Sequence, residues 1–194
     1  MIFTAYGFWL PNDPRGSWSD FVRSWELLRF GPATKIDTRR SVANREHHVN
    51  LRLAAKKALR YPPVNFTGRQ ARSIGGGFAF AIRKSEYRVF ACAILPEHVH
   101  MVIGRHRYQI EQVVRRLEQA ATIRLTADQL HPLERFRAPA GRTPSPWGRG
   151  LWKVYLNSDE DIRRATHYVQ GNPKREHKPP QRWSFVVPYA EVRC

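Results

Sequence analysis

Cysteine is nearly absent from this sequence, in which Cys92 and Cys194 are the only two among 194 residues. Two cysteines, one of them the last residue, supply no disulfide framework and no cysteine-based zinc site. Long apolar runs are missing too, since no stretch reaches the roughly 20 residues that a membrane-spanning helix needs. The short apolar stretch after Met1 lacks the basic leader of a signal peptide. We therefore expect a soluble, cytoplasmic protein without a membrane partner.

Acidic residues are also scarce, with 16 Asp and Glu against 33 Lys and Arg. The formal net charge is +17 and the isoelectric point is about 10.9, which is far more basic than solubility requires. Such an excess indicates an anionic partner, and nucleic acid is the usual one. Six Trp, seven Tyr and ten Phe add ring faces on which unpaired bases can stack. The composition predicts a nucleic-acid-binding protein, and hence a nucleoid-associated one within the cytoplasm.

Hydrophobic periodicity divides the chain into strands and helices. We predict strands at residues 2–10, 89–94, 98–103 and 152–156, and helices at residues 49–59, 67–84, 110–125 and 158–172. Thr67 and Gln70 fit a capping box, Ser158 is a natural N-cap, and Asn172-Pro173 should end the last helix. This order predicts an α+β fold with helices packed on an antiparallel sheet, for which a ferredoxin-like arrangement is the nearest common solution.

The length corresponds to a single domain, which we expect to span residues 1–194. Three segments within it carry little periodicity. They are a basic loop region at about 18–45, a Pro/Gly-rich loop at about 131–150 and a basic C-terminal extension at about 173–194. Three consecutive glycines, residues 75–77, either weaken the second helix by about 1 kcal/mol each or mark a close packing contact.

Two histidines one residue apart stand at the start of the third predicted strand. Because side chains alternate along a strand, His98 and His100 share one face, while Val99 and Met101 share the other. Two imidazoles on one face can hold a divalent metal and leave room for other ligands. The alternative is a histidine pair on a solvated surface. The apolar residues on both sides of the pair favour a metal site.

The last predicted helix contributes Tyr168 and Asn172, four residues apart and therefore on the same helix face. Tyrosine can act as a covalent nucleophile, and an asparagine oxygen suits magnesium or manganese. The alternative is a packing tyrosine followed by an asparagine that closes the helix before Pro173. The spacing alone leaves both interpretations open.

Taken together, these motifs resemble those of the HUH single-tyrosine transposases, and most closely the REP-associated tyrosine transposases. The resemblance covers most of the chain and depends on a histidine motif, a tyrosine motif and an opening segment. These are Leu95-Pro96-Glu97-His98-Val99-His100, Tyr168-Val169-Gln170-Gly171-Asn172-Pro173 and Tyr6-Gly7-Phe8-Trp9-Leu10-Pro11-Asn12-Asp13-Pro14-Arg15-Gly16. Glu97 departs from the asparagine that the family more often has before the first histidine.

The resemblance implies a ferredoxin-like fold with a metal-dependent active site. His98 and His100 would be metal ligands, Asn172 a third ligand and Tyr168 the nucleophile, with Mg²⁺ or Mn²⁺ as the metal. Such an enzyme would be an endonuclease and transposase that cleaves and rejoins single-stranded or hairpin DNA through a 5′-phosphotyrosine.

Two other functions are compatible with the same motifs. One is an HUH initiator of replication or mobilisation, and the other is a domesticated DNA-binding protein without catalysis. The retention of His98, His100 and Tyr168 argues against the second. The sequence identifies no DNA-contacting residue, and it leaves the choice between a monomer and a homodimer open.

Overall fold

The computed structural model describes residues 1–8, 10, 27, 29–31 and 48–189. The predicted turn cluster at residues 11–16 and nearly all of the basic loop region at 18–45 lie outside the described residues. The last five residues, 190–194, lie outside them as well.

One antiparallel sheet forms the centre of the described fold. Its strands are β1 Ile2–Ala5, β2 Val89–Ile94, β3 His98–Ile103 and β4 Trp147–Trp152, in the order β2-β3-β1-β4. The hairpin of β2 and β3 has the predicted bounds. Since β3 pairs with β2 on one side and β1 on the other, the histidine motif lies on an inner strand.

The described part of the chain contains four α-helices. They are α1 Val49–Lys57, α2 Gly68–Ser85, α3 Ile110–Ala127 and α4 Asp159–Arg175. The pair α2 and α3 contacts one face, and α4 contacts β2 and β3 on the other. The predicted α+β fold is confirmed, and α2 between β1 and β2 with α3 between β3 and β4 gives the ferredoxin-like order.

Local sequence signals explain where two of the helices begin. Thr67 accepts a hydrogen bond from the Gln70 amide while the Gln70 side chain accepts one from Thr67, which is the predicted capping box. Ser158 accepts from the Asp161 amide at 3.1 Å, and three acidic residues follow in the first turn of α4. Both helix starts were therefore readable from the sequence.

The two sheet faces differ in what they bury. Val99 and Met101 of β3 point into the main core together with Phe3, Phe78 and Leu117. The opposite face carries His98, His100 and Val102 towards α4, where the buried Val169 of the helix packs. The alternation along β3 thus puts both imidazoles on the α4 side, as the strand period requires.

The glycine run in α2 marks close packing. An added Cβ on Gly77 would lie 2.6 Å from the backbone of Ala120 and Ala121 in α3. One on Gly75 would lie 2.2 Å from the Trp183 ring. Glycine therefore lets α3 approach α2 and lets the C-terminal segment lie against the helix.

We expect Gly77→Ala to lower the free energy of unfolding by about 1 to 3 kcal/mol, because the backbone of α3 cannot give way as a flexible side chain can. Gly76→Ala is the matched control, since its Cβ would meet only Arg124 at 3.8 Å. That change should raise stability by up to about 1 kcal/mol through helix propensity. Urea denaturation of both variants checks this, and equal effects would contradict the packing role.

The last strand of the sheet lies earlier in the chain than predicted. The expected strand at 152–156 is wrong, since β4 spans Trp147–Trp152 and so includes the end of the supposed loop at 131–150. That loop also contains a short 3-10 helix, Glu134–Phe136. The glycines at 148 and 150 had suggested a loop. A Cβ on Gly148 would lie 2.5 Å from Thr4 Oγ1, so this glycine serves the close approach of β1 and β4 where their register shifts.

The first strand is shorter than its apolar sequence suggested. The predicted strand ran to residue 10, but β1 ends at Ala5 and a turn follows. Gly7 has a φ of +82°, a conformation that residues with a Cβ rarely adopt. The turn brings the Phe8 ring back against His98.

The last helix continues beyond the predicted end. Asn172-Pro173 does not terminate α4, which runs to Arg175 with Glu176 as its C-cap. Proline removes its own amide donor and crowds the preceding turn, yet the Asn172 carbonyl still accepts from the Glu176 amide at 3.1 Å. The first residues of the predicted C-terminal extension are therefore helical. Arg175 lies in the same helix as Tyr168, and Glu176 caps that helix.

The C-terminal segment after α4 covers the exposed edge of β2. The Gln181 side chain accepts from the Ile94 amide at 2.8 Å and donates to the Ile94 carbonyl at 2.7 Å. Further along, the Val187 amide donates to the Val89 carbonyl at 2.9 Å. These contacts satisfy backbone groups that would otherwise offer an open sheet edge.

Among the described helices, none is both long and apolar enough to cross a membrane.

We predict that the free energy of unfolding depends on pH through the carboxyl group of Glu118 in α3. Burial raises its pKa from 4.5 to about 8, against a smaller opposite effect of Arg115. The folded-state pKa of Glu118 lies above its unfolded-state pKa. The stability that the protonated carboxyl contributes is therefore fully present below pH 4.5 and is lost as the pH rises through 8. We expect wild-type stability to fall relative to Glu118→Gln over this range, by at most about 1.4 kcal/mol per pH unit. Denaturation of both proteins at several pH values checks this, and parallel curves would contradict it.

Candidate metal and nucleophile site

The two histidines of β3 form the base of the candidate site. Their ring centroids are 4.7 Å apart and the ring planes meet at 69°. In the sheet, His100 lies beside Ile2 of β1 and Ala93 of β2, and His98 lies beside Thr4. The small side chain of Ala93 leaves space next to His100 for α4.

His100 is buried, with 6% of its surface exposed. Burial lowers its pKa well below 6.5, and the nearby His98 and N-terminal ammonium lower it further. The ring is therefore neutral at physiological pH, and a neutral imidazole keeps the lone pair that a metal requires.

His98 lies nearer the surface and is held from two sides. Its ring stacks on Phe8, with centroids 5.1 Å apart and planes inclined by 19°. On the other side, the Glu176 carboxylate lies 3.6 Å from His98 Nε2. Glu97, just before His98, forms an ion pair with Lys56 of α1 at 3.7 Å. The glutamate that departs from the family motif thus has a local partner of opposite charge.

Tyr168 of α4 lies across from this pair. Its ring centroid is 5.9 Å from that of His100, and 45% of its surface is exposed. The guanidinium carbon of Arg175 lies 4.6 Å from the centre of the tyrosine ring. Tyr168 therefore contacts Arg175 through its ring while nearly half of its surface remains exposed.

Asn172 lies one turn after Tyr168 and is buried, with 4% of its surface exposed. Its Oδ1 accepts a hydrogen bond from Arg175 Nη1 at 3.4 Å. Its buried Nδ2 has no hydrogen-bond partner among the described residues. An unsatisfied buried amide costs about 1 to 3 kcal/mol, which is unusual at a position that serves stability alone.

The structure brings all four predicted site residues to one region, with His98 and His100 from β3 and Tyr168 and Asn172 from α4. The helix is fixed there by Val169, which is buried against β2 and β3. Three neighbours of the site were not predicted, namely Phe8, Arg175 and Glu176. Arg175 and Glu176 were missed because the helix was expected to end at Asn172. Extending its period by one turn would have found both.

The donors present suit a hard divalent metal in part. An amide oxygen is an ordinary ligand for such ions, whereas imidazole is more usual for Zn, Cu, Fe and Ni. Among the described residues, no three His, Cys, Asp or Glu side chains are grouped to hold an ion by themselves. A metal bound to His98 and His100 would therefore depend on Asn172, water or substrate oxygens to complete its shell. In Asn172 only the oxygen has a partner, Arg175, while the buried Nδ2 has none among the described residues.

Comparison with protein-family models gave no match for this chain, and comparison with curated proteins gave none either.

The effect of replacing Asn172 separates a ligand from a structural residue. As a ligand, Asn172 should give an Asn172→Ala variant that needs about tenfold more metal for half-saturation, with little loss of melting temperature because its buried Nδ2 is already unsatisfied. Asn172→Asp should restore part of the metal response. Metal titrations and thermal melts check both points. A lower melting temperature with an unchanged metal requirement would show that Asn172 is structural.

Proposed function

We propose that this chain is a metal-dependent DNA-cleaving and strand-transferring enzyme, a transposase that acts on single-stranded or hairpin DNA through a phosphotyrosine. The observation that carries the proposal is the meeting of Tyr168 with the His98 and His100 pair across the α4 face of the sheet. An accessible phenol next to two imidazoles, one of them buried and neutral, suits phosphoryl transfer.

The charge of the chain supports DNA as the substrate. A net charge of +17 favours a polyanion, and the 23 aromatic residues favour unpaired bases. Resemblance to the HUH motifs supports the same substrate, since the four residues that the motifs supply, His98, His100, Tyr168 and Asn172, lie in one region. His98, His100 and Asn172 would hold Mg²⁺ or Mn²⁺.

The reaction can be written from the residues of the chain. Tyr168 Oη attacks the phosphorus of the scissile linkage, and the bond from phosphorus to the 3′ oxygen breaks. The phenol loses its proton, the departing 3′ oxygen gains one, and the 5′ end remains on Tyr168 as a phosphotyrosine. A divalent metal bound at the site would polarise the phosphoryl oxygens and offset their growing charge. A second 3′-hydroxyl reverses the step and joins strands, so no ATP is consumed.

The test is the formation of a protein–DNA adduct that survives denaturation. Labelled single-stranded and hairpin DNA from the genomic flanks is incubated with the protein and Mg²⁺ or Mn²⁺, and with EDTA as the control. We expect a shifted band on a denaturing gel with metal and none with EDTA. Tight binding without an adduct in either metal would contradict the proposal and favour a non-catalytic DNA-binding protein. An adduct that never transfers to an added 3′-hydroxyl would favour an initiator.

A further inference from the structure

Arg175 contacts two members of the candidate site at once. Its guanidinium lies over the Tyr168 ring at 4.6 Å and donates to Asn172 Oδ1 at 3.4 Å. Both contacts follow from helix geometry, since Arg175 is three residues after Asn172 and seven after Tyr168. The cation therefore lies beside the side chain that would attack phosphorus.

The surroundings leave most of this cation's hydrogen-bonding capacity for a ligand. A guanidinium has five N–H donors, and the Asn172 bond takes one. The residue is exposed, and among the described residues no carboxylate forms an ion pair with it. The adjacent carboxylate, Glu176, lies against His98 instead.

We propose that Arg175 binds the phosphate on which Tyr168 acts, both in the scissile linkage and in the phosphotyrosine. This inference rests on the proposed function. A guanidinium presents paired N–H groups that match two phosphate oxygens, and attack by Tyr168 increases the negative charge on those oxygens. Arg175 thereby supplies a positive charge from the same helix as the nucleophile, at a fixed distance from it. Its bond to Asn172 holds that charge in place.

The experiment compares DNA binding with and without charge at the scissile linkage. The linkage is first located by wild-type cleavage, and a matched oligonucleotide is made with an uncharged methylphosphonate there. Affinity for both oligonucleotides is then measured in EDTA, so that binding is read without cleavage. The proteins are the wild type, Arg175→Ala, Arg175→Gln and Lys174→Ala. Lys174 is the matched control because it is the exposed cation next to Arg175 on α4.

We expect the wild type and Lys174→Ala to bind the charged oligonucleotide about tenfold more tightly than the uncharged one. Both Arg175 variants should bind the two equally. With the charged substrate and metal, the Arg175 variants should form the adduct about 100-fold more slowly. A preference for the charged linkage that persists in both Arg175 variants, or is missing in the wild type, would overturn the role of Arg175 but not the proposed function. Failure of the wild type to form any adduct would overturn the proposed function and this inference with it.

Discussion

Replacing Tyr168 with phenylalanine is expected to abolish the covalent protein–DNA adduct while DNA affinity changes by less than about twofold. Phenylalanine keeps the ring that faces His100 and supports the Arg175 guanidinium, so only the nucleophilic oxygen is lost. Removing the nucleophile of a covalent mechanism removes the intermediate itself rather than slowing its formation. The measurement is a denaturing gel for the adduct, together with a binding titration of the same labelled DNA.

Tyr155 provides the control for this experiment. It is more exposed than Tyr168, at 68% against 45%, and it lies before α4 rather than on it. Tyr155→Phe should therefore form the adduct at the wild-type rate. If Tyr168→Phe still forms an adduct and Tyr155→Phe does not, the nucleophile is Tyr155 and the assignment of the site is wrong.

Replacing His100 is expected to have the second largest effect. His100→Ala should raise the metal concentration for half-maximal adduct formation by at least about 100-fold. Loss of a side chain that only orients a ligand lowers metal affinity by up to about 100-fold, and loss of the ligand itself should cost more. His100→Gln keeps more of the buried volume and offers an amide oxygen, so it should retain part of the response. Titration with Mn²⁺ measures the requirement, and thermal melts report any cavity effect separately.

His167 is the matched control for the histidine experiment. It is an exposed histidine on α4, next to Tyr168 in sequence. His167→Ala should leave the metal requirement unchanged. An equal shift in His167→Ala and His100→Ala would mean that metal binding does not depend on the β3 pair.

Much of the fold could be predicted because short-range signals decide it. The alternation around His98 and His100 gave the bounds of β3 and the shared face of the two rings. The capping residues Thr67 and Ser158 gave the starts of α2 and α4. These signals depend on neighbours a few residues apart, which a single sequence displays directly.

Two of the wrong predictions came from a glycine and a proline that were interpreted as ends of regular structure. Gly148 looked like a loop residue, but it lies in β4 where Thr4 comes close. Pro173 looked like a helix end, but the helix continues around it to Arg175. Nothing near Gly148 in the sequence shows its contact with Thr4, whereas Pro173 is accommodated by hydrogen bonds within the helix end itself.

Of the candidate site, the sequence predicted the residues of the motifs but not their neighbours from other parts of the chain. The sequence suggested four residues, yet the stacking of Phe8 on His98 and the approach of Glu176 to the same ring arise from tertiary contacts. The roles of metal ligand and nucleophile stay predictions. The geometry adds that Tyr168 is accessible and that Asn172 is buried with an unsatisfied amide.

The most direct test of the central claim is to locate the covalent bond. The wild-type protein is allowed to react with single-stranded DNA and Mn²⁺, then digested with nuclease and protease, and its peptides are sequenced by mass spectrometry. We predict a single nucleotide-bearing peptide in which the phosphate is attached to Tyr168, and none when EDTA is present. Attachment to any other residue, or a modification of Tyr168 that forms equally well without metal, would contradict the account.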